Sequence, residues 1–144
     1  MRAAAIPPIV LAVAALAPGG CGASSSNSAD KFQGREKQVA QTVDDLSDAA
    51  RKRDASKICD ELLTTQLKAK LAGLARVSKR GTDCADQLKD SLQDATSLDL
   101  KVQDVSITGN TATVKVKTDV SRGSDPVDTL QLADQRGWRI SELP

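Results

Sequence analysis

The stretch "LDLKVQDVSITGNTATVKVKTDV", residues 98–120, decides the fold because apolar side chains recur in it at alternating positions. Alternation of this kind predicts a half-buried β-strand. Gly109-Asn110 interrupts the pattern and is typical of a two-residue turn between antiparallel strands. Such a turn places two apolar pairs on one face: Ile107 opposite Ala112, and Val105 opposite Val114. We therefore expect a β-hairpin with one buried face.

The first strand of this hairpin requires one extra residue. Val102 and Val116 fall out of phase if pairing continues unbroken from the turn. A β-bulge at Gln103-Asp104 restores the phase, so that Val102 faces Val116. The same shift adds one further pair: Leu98 and Val120. The sequence thus predicts a bent hairpin, with the bend beside the bulge.

Two more strands are expected after the loop that ends at Pro126. Residues 127–134 alternate, and a fourth strand begins at Trp138. Between them, residues 134–137, "DQRG", are typical of a type I turn closed by a left-handed glycine. The inward residues of the two strands are Leu130, Leu132, Trp138 and Ile140.

The residues before the hairpin follow a helical period instead. Asp30 and Gln33 resemble a capping box, so a first helix is expected from Lys31 to about Arg53. Apolar residues at helical spacing form one stripe along it. The stripe consists of Phe32, Val39, Val43, Leu46 and Ala50.

Three shorter helices should follow. Asp54 can cap the second, the third stops at Gly81, and Asp83 can cap the fourth. Their apolar residues also fall at helical spacings and are expected to face inward. They are Ile58, Cys59 and Leu62; Leu67, Leu71, Leu74 and Val77; and Cys84, Leu88 and Leu92.

Helices followed by a meander predict an α+β fold, with N-terminal helices packed on one face of a bent, bulged antiparallel sheet of about four strands. Residues 30–144 suffice for one domain. The long first helix, the bulged sheet, "NTATVKV" and the closing "GWRISEL" resemble the nuclear-transport-factor-2-like superfamily. That resemblance implies a cone-like fold with a candidate cavity. Its expected lining is Val116, Leu132, Trp138 and Ile140. The chain lacks an early hairpin between the helices, so a cystatin-like or other helix-on-sheet arrangement stays open.

The amino-terminal segment has the features of an export signal. Met1-Arg2 precedes an apolar run, residues 3–17, which is too short to span a bilayer. Gly19-Gly20-Cys21 resembles the lipobox of bacterial lipoproteins. The resemblance implies a signal peptide over residues 1–20, acylated Cys21, a Ser-rich tether over residues 21–29, and an anchor on the extracytoplasmic face of a bacterial cell membrane. The alternative is ordinary cleavage after Ala17, with Cys21 unmodified.

The three cysteines fit this interpretation. If Cys21 carries lipid, Cys59 and Cys84 remain as a pair in an oxidising compartment. Both lie on inward stripes, so a disulfide can join the second helix to the fourth. Closing a loop of about 25 residues stabilises a fold by about 3 to 3.5 kcal/mol in the chain-entropy model. A metal site is the alternative, but the chain has no histidine and no Cys-x-x-Cys motif, so none is expected.

Composition excludes several function classes. Lys plus Arg number 20 and Asp plus Glu 19; without residues 1–20, which contain Arg2, the two counts are equal at 19. The chain thus has no basic surplus, so no nucleic-acid partner is expected. The absence of His excludes histidine-based catalysis, and the absence of Tyr removes a second residue that enzymes of the resembled superfamily use. Ser28-x-x-Lys31 lacks its companion motifs and is attributed to chance. Asp44, Asp45 and Asp48 are interpreted as the solvent-exposed face of a helix.

The sequence therefore predicts a non-catalytic, membrane-anchored envelope domain that needs no cofactor. It is expected to bind an envelope protein or a small apolar molecule. The alternative hypothesis is a carrier or sensor that holds a small apolar ligand in a cone-shaped cavity. A third hypothesis, an enzyme that uses only Asp, Glu, Lys or Ser, also stays open.

Overall fold

A computed structural model of the chain describes residues 27–94, 99–118 and 126–144. The predicted signal peptide and the lipidation candidate Cys21 lie outside the described residues, as does the expected Leu98–Val120 pair.

The helical part consists of a 3₁₀ turn and four helices, of which the second continues as a π-helical turn. The bounds are Ser28–Lys31 for the 3₁₀ turn, Gly34–Arg51 for α1, Ala55–Lys57 for α2, Ile58–Leu62 for the π turn, Thr65–Val77 for α3 and Cys84–Asp94 for α4. Two predicted caps are confirmed: Asp54 Oδ1 accepts from the N–H of Lys57, and Asp83 Oδ1 from that of Asp86, both at 2.9 Å.

The predicted capping box at the start of the first helix is wrong. Helix α1 begins at Gly34, and Gln33, at its N-cap position, makes no capping hydrogen bond through its side chain. Phe32 is extended, with φ −116° and ψ 165°, and Gly34 has a φ of 55°. Tertiary contacts of the 3₁₀ turn outweigh the local signal here, because they hold the preceding residues against the domain.

Those contacts also place two residues of the predicted tether inside the domain. Ser28 is 4% exposed and Ala29 is 1% exposed. The Val102 N–H donates to Ser28 Oγ at 3.1 Å, and the Ala29 N–H donates to Asp44 Oδ2 at 2.9 Å. The folded domain thus includes Ser28 and Ala29, because their small side chains fit between α1 and the first strand.

The strands form one open antiparallel sheet in chain order. The bounds are Leu100–Thr108 for β1, Thr111–Thr118 for β2, Val127–Asp134 for β3 and Trp138–Glu142 for β4. The predicted α+β class and meander are confirmed.

The predicted bulge is also confirmed. Ile107 pairs with Ala112, Val105 with Val114 and Val102 with Val116, and the register shifts between Val102 and Asp104. Val102 is 1% exposed and Val105 is 8% exposed, although Val105 lies three positions after Val102 in the sequence. A regular strand would send these two valines to opposite faces, so the extra residue is what allows both to be buried.

The inward residues of the other strands are buried as expected, with Leu132 and Ile140 at 0% exposure. Helix α1 covers this face through its own buried residues, among them Val39 and Val43. A contact without a sequence signal secures β4: Leu63 pairs in parallel with Ile140, and the Thr64 N–H donates to the Ile140 carbonyl at 2.9 Å. The π turn therefore borders the sheet.

The turn before β4 differs in detail from the expected one. Both Arg136, with φ 61°, and Gly137, with φ 128°, have positive φ values, rather than the glycine alone. The Gly137 N–H donates to Asp134 Oδ1 at 3.1 Å. This side-chain acceptor closes the turn and offsets part of the strain at Arg136.

Two residues expected to face inward on the third helix are exposed. Leu74 is 48% exposed and Val77 is 84% exposed. Helix α3 packs against α4 and β4, and Leu67 and Ala75 are its buried residues. The helix has partners on one narrow side, so its apolar stripe is wider than the surface available to cover it.

Candidate functional site

The predicted disulfide joins the π turn to helix α4. The sulfur atoms of Cys59 and Cys84 lie 2.00 Å apart, with their Cα atoms at 6.1 Å. Cys59 belongs to the π turn, Cys84 is the first residue of α4, and both are at most 3% exposed. The cross-link therefore fixes the start of α4 against the turn that borders β4.

An apolar cavity of about 340 Å³ lies where α4, α1 and the sheet meet. Its helical wall is formed by Leu46 and Ala50 of α1, Ile58 of the π turn, and Leu88 and Leu92 of α4. These side chains are all aliphatic. Two of the residues, Leu46 and Leu92, are each 7% exposed. The helical wall therefore offers a ligand no hydrogen-bonding side chain.

The sheet forms the other wall of the cavity. Leu100, Val116 and Leu130 contribute one residue each from β1, β2 and β3. Leu143 and Pro144 also line the space. The polar side chains at the cavity are Thr118 and Asp128, both half-buried.

The near absence of aromatic residues is consistent with such a space. The chain contains one Phe and one Trp and no Tyr. The cavity between α4 and the sheet is accordingly lined by aliphatic side chains. Large rings commonly supply the bulk that fills such a space. A cavity lined in this way resists hydration because it offers water few partners.

The four residues predicted to line a cavity do not lie together at this space. Val116 lines it. Leu132 and Ile140 are fully buried in the core, and Trp138 lines a separate polar surface cleft with Gln38 and other residues. Sequence reasoning missed Leu46, Leu88, Leu92, Leu100 and Leu130 as lining residues, although helical and strand periodicity had marked most of them as inward.

Trp138 is held in place by α1. The Arg35 guanidinium carbon lies 5.1 Å from the centroid of its ring, and the Thr42 hydroxyl donates to its carbonyl at 3.4 Å. Trp138 is 7% exposed. A ring so covered offers little free face for stacking, which makes this cleft a poor platform for a sugar or a base.

The buried position of Asp44 contradicts the prediction that the acidic cluster forms a solvent-exposed helix face. Its side chain is 5% exposed, whereas Asp45 and Asp48 are half-buried and Asp48 forms an ion pair with Arg51. Burial raises the pKa of Asp44 above its ordinary value of 3.8, against the opposing effect of the Ala29 N–H. Its Oδ1 has no hydrogen-bond partner within the described ranges. The hydrogen bond between Ala29 and Asp44 therefore holds the 3₁₀ turn against α1.

The described residues offer neither a metal site nor a membrane-spanning helix. Across residues 27–94, 99–118 and 126–144, no group of three or more His, Cys, Asp or Glu side chains is placed to hold a metal ion. Within these ranges no helix has both the length and the hydropathy needed to cross a bilayer. The chain matches no protein-family model, no curated protein and no solved structure.

Proposed function

We propose that this chain is a non-catalytic, membrane-anchored binding domain of the bacterial cell envelope that holds a small apolar ligand between α4 and the sheet. The observation that carries the proposal is the cavity of about 340 Å³, whose lining is aliphatic except for Thr118 and Asp128. This volume lies at the lower end of the range for small-molecule sites, about 300 to 1,000 Å³.

The lining also favours a particular ligand chemistry. Leucine, valine and isoleucine side chains contact a flexible hydrocarbon well but offer no ring for stacking. Asp128 places a carboxylate beside the apolar space, and a second carboxylate brought next to it would be repelled. A short hydrocarbon chain with a neutral or cationic head group therefore fits better than a fatty acid.

An anchor at Cys21 gives this binding a context. The lipobox-like Gly19-Gly20-Cys21 supports export and acylation, and multiple acyl chains hold a protein stably on a membrane. The buried disulfide is consistent with an oxidising compartment. The helix-then-meander order is consistent with the nuclear-transport-factor-2-like resemblance. A domain so placed would meet apolar molecules that leave or enter the bilayer.

Competition with a neutral fluorescent probe, N-phenyl-1-naphthylamine, tests the proposed site. We expect decylamine to displace the probe at the lowest concentration, decanol next and decanoate last, because of Asp128. Asp128→Asn should abolish that preference between charged head groups while retaining decanol binding. Equal displacement by decylamine and decanoate in the parent chain would contradict the assignment of Asp128.

A cavity-filling variant tests the location independently. Ala50→Leu adds aliphatic volume at a residue that is 6% exposed and lines the cavity, and should weaken probe binding at least about tenfold, as expected when a ligand meets an occupied space. Ala69→Leu is the matched control because Ala69 is exposed on α3. Unchanged binding by a folded Ala50→Leu chain would place the ligand elsewhere. Native mass spectrometry that finds an empty domain with a captured envelope protein would favour the protein-binding alternative.

A further inference from the structure

Positive charge is concentrated in one part of this nearly neutral chain. The segment from residue 62 to residue 82 contains basic side chains and no Asp or Glu. Its cations are Lys68, Lys70, Arg76, Lys79 and Arg80. These residues lie on α3 and in the turn that follows it, whereas the charges elsewhere in the chain are mixed.

The same segment carries the exposed apolar residues of α3. Among the described residues, the large apolar side chains with high exposure are Leu74, Val77 and Val127. Lys70, Leu74 and Val77 are spaced at i, i+4 and i+7, so they share the outer side of the helix. Apart from the adjoining residues and the backbone of α3 itself, no atom lies within 4 Å of the position that a Cβ on the neighbouring Gly73 would take, so this side is open.

Several of these cations are not engaged by acidic groups. Within the described part of the chain, Lys70, Arg76 and Lys79 form no ion pair, while Lys68 pairs with Asp60 and Arg80 lies 3.7 Å from Asp90.

The acidic residues near the end of α3 belong to α4 and the loop before it. Asp86 accepts from the Thr82 N–H at 3.0 Å and pairs with Lys89 at 3.9 Å, and Asp83 caps its own helix. The Arg76 guanidinium donates to the Thr82 carbonyl at 3.2 Å, which holds it beside the helix end. Positive charge thus remains available around Leu74 and Val77.

We infer that this α3 surface, defined as Lys70, Leu74, Arg76, Val77 and Lys79, docks on an anionic phospholipid membrane. The two aliphatic side chains enter the interface beside Lys70, and Arg76 and Lys79 contribute positive charge from the end of the helix towards lipid phosphates. Each cation contributes separately to attraction by an anionic surface, so a small patch suffices. A specific protein interface needs about 800 Å² on each partner, far more than two aliphatic side chains supply.

The inference depends on neither the cavity nor lipid at Cys21, so it can fail or hold separately from the proposed function. With an anchor, however, α3 would fix how the domain faces the bilayer. A second, weak contact on the same molecule becomes effective because the anchor keeps its local concentration high.

Vesicle co-sedimentation of the full chain tests the inference. Cys21→Ser in every variant removes the acylation site, and residues 1–20 are common to all. We expect stronger partition into phosphatidylcholine vesicles with added phosphatidylglycerol than into phosphatidylcholine alone. Combined Lys70→Gln, Arg76→Gln and Lys79→Gln should weaken the anionic partition about 100-fold, or about fivefold per cation. Combined Leu74→Ser and Val77→Ser should weaken it at least about tenfold.

Matched controls separate this surface from general effects. Lys31→Gln, Lys52→Gln and Lys115→Gln together remove the same charge from exposed residues elsewhere, and Val127→Ser removes an exposed aliphatic side chain from β3. Val127→Ser should bind the vesicles as the parent does. The control charge variant should lose less binding than the α3 charge variant, because only its overall charge has changed. Equal losses in the α3 and control charge variants would overturn the inference. A dimer that forms without vesicles and that Leu74→Ser with Val77→Ser dissociates would also overturn it, because the surface would then serve a second copy of the chain.

Discussion

The Ala29 N–H donates to Asp44 Oδ2 at 2.9 Å, which ties the 3₁₀ turn to the middle of α1. Asp44 is buried, with 5% of the residue exposed. Its proton equilibrium should therefore influence stability, since burial disfavours the charged form while the N–H donor favours it.

Acidification should reveal this effect. Because burial raises the pKa of Asp44 above 3.8 in the folded chain, the native state binds the proton more tightly than the unfolded state does. The contribution of Asp44 to the free energy of unfolding should fall as pH rises from 3.8 through the raised pKa, and level off above it. Urea unfolding of the parent and of Asp44→Asn should show a stability difference that shifts towards the parent at low pH. A difference independent of pH would contradict the prediction.

The hydroxyl of Ser28 should be needed to anchor β1. Ser28→Ala leaves the buried Val102 N–H without the acceptor that it now has at 3.1 Å, and we expect a loss of about 1 to 3 kcal/mol in the free energy of unfolding. Amide exchange at Val102 should accelerate in the same variant. Ser56→Ala, at an exposed serine, is the control. Equal stability of the two variants would mean that another group satisfies Val102.

Removal of the Cys59–Cys84 disulfide should destabilise the domain by about 3 to 3.5 kcal/mol, as the chain-entropy model gives for a loop of about 25 residues. Thermal and urea unfolding of Cys59→Ala with Cys84→Ala measure this. Reduction of the parent chain should reproduce the loss. The double variant should also bind N-phenyl-1-naphthylamine more weakly, because α4 is no longer fixed beside the cavity. Unchanged unfolding on reduction would count against a stabilising cross-link.

Two single-residue deletions in β1 should differ sharply in their effect. Deletion of Gln103 removes the bulge and keeps Val102 opposite Val116, so the chain should still fold. Deletion of Ser106 instead turns Val105 outward and Asp104 inward. That change should remove at least about 3 kcal/mol, since it exposes a valine and buries a carboxylate. Urea unfolding and cross-strand contacts in NMR spectra measure both. Similar losses for the two deletions would contradict the register.

The sheet was predictable because strand pairing leaves few alternatives. The turn at Gly109 sets the register, and burial of both Val102 and Val105 requires one extra residue between them. The caps at Asp54 and Asp83 were predictable for a similar reason, since a helix start has few ways to satisfy its free N–H groups. Local chemistry decides such features.

The failures lie where tertiary contacts outweigh local patterns. Asp44 has the spacing of an exposed cluster, but it accepts a hydrogen bond from a residue remote in sequence. Leu74 continues an apolar stripe, yet no neighbouring element covers it. The Leu63–Ile140 pairing joins a turn to a strand without any motif. The cavity depends on how well side chains fill a space, which periodicity does not report.

The covered position of Trp138 has a practical consequence for spectroscopy. The chain has a single tryptophan, packed under Arg35 and away from the residues that line the apolar cavity. Its emission should therefore respond when α1 separates from β4 and stay nearly constant when a ligand enters. Intrinsic fluorescence and an extrinsic dye thus monitor two different events in one sample, unfolding and occupancy, without interference.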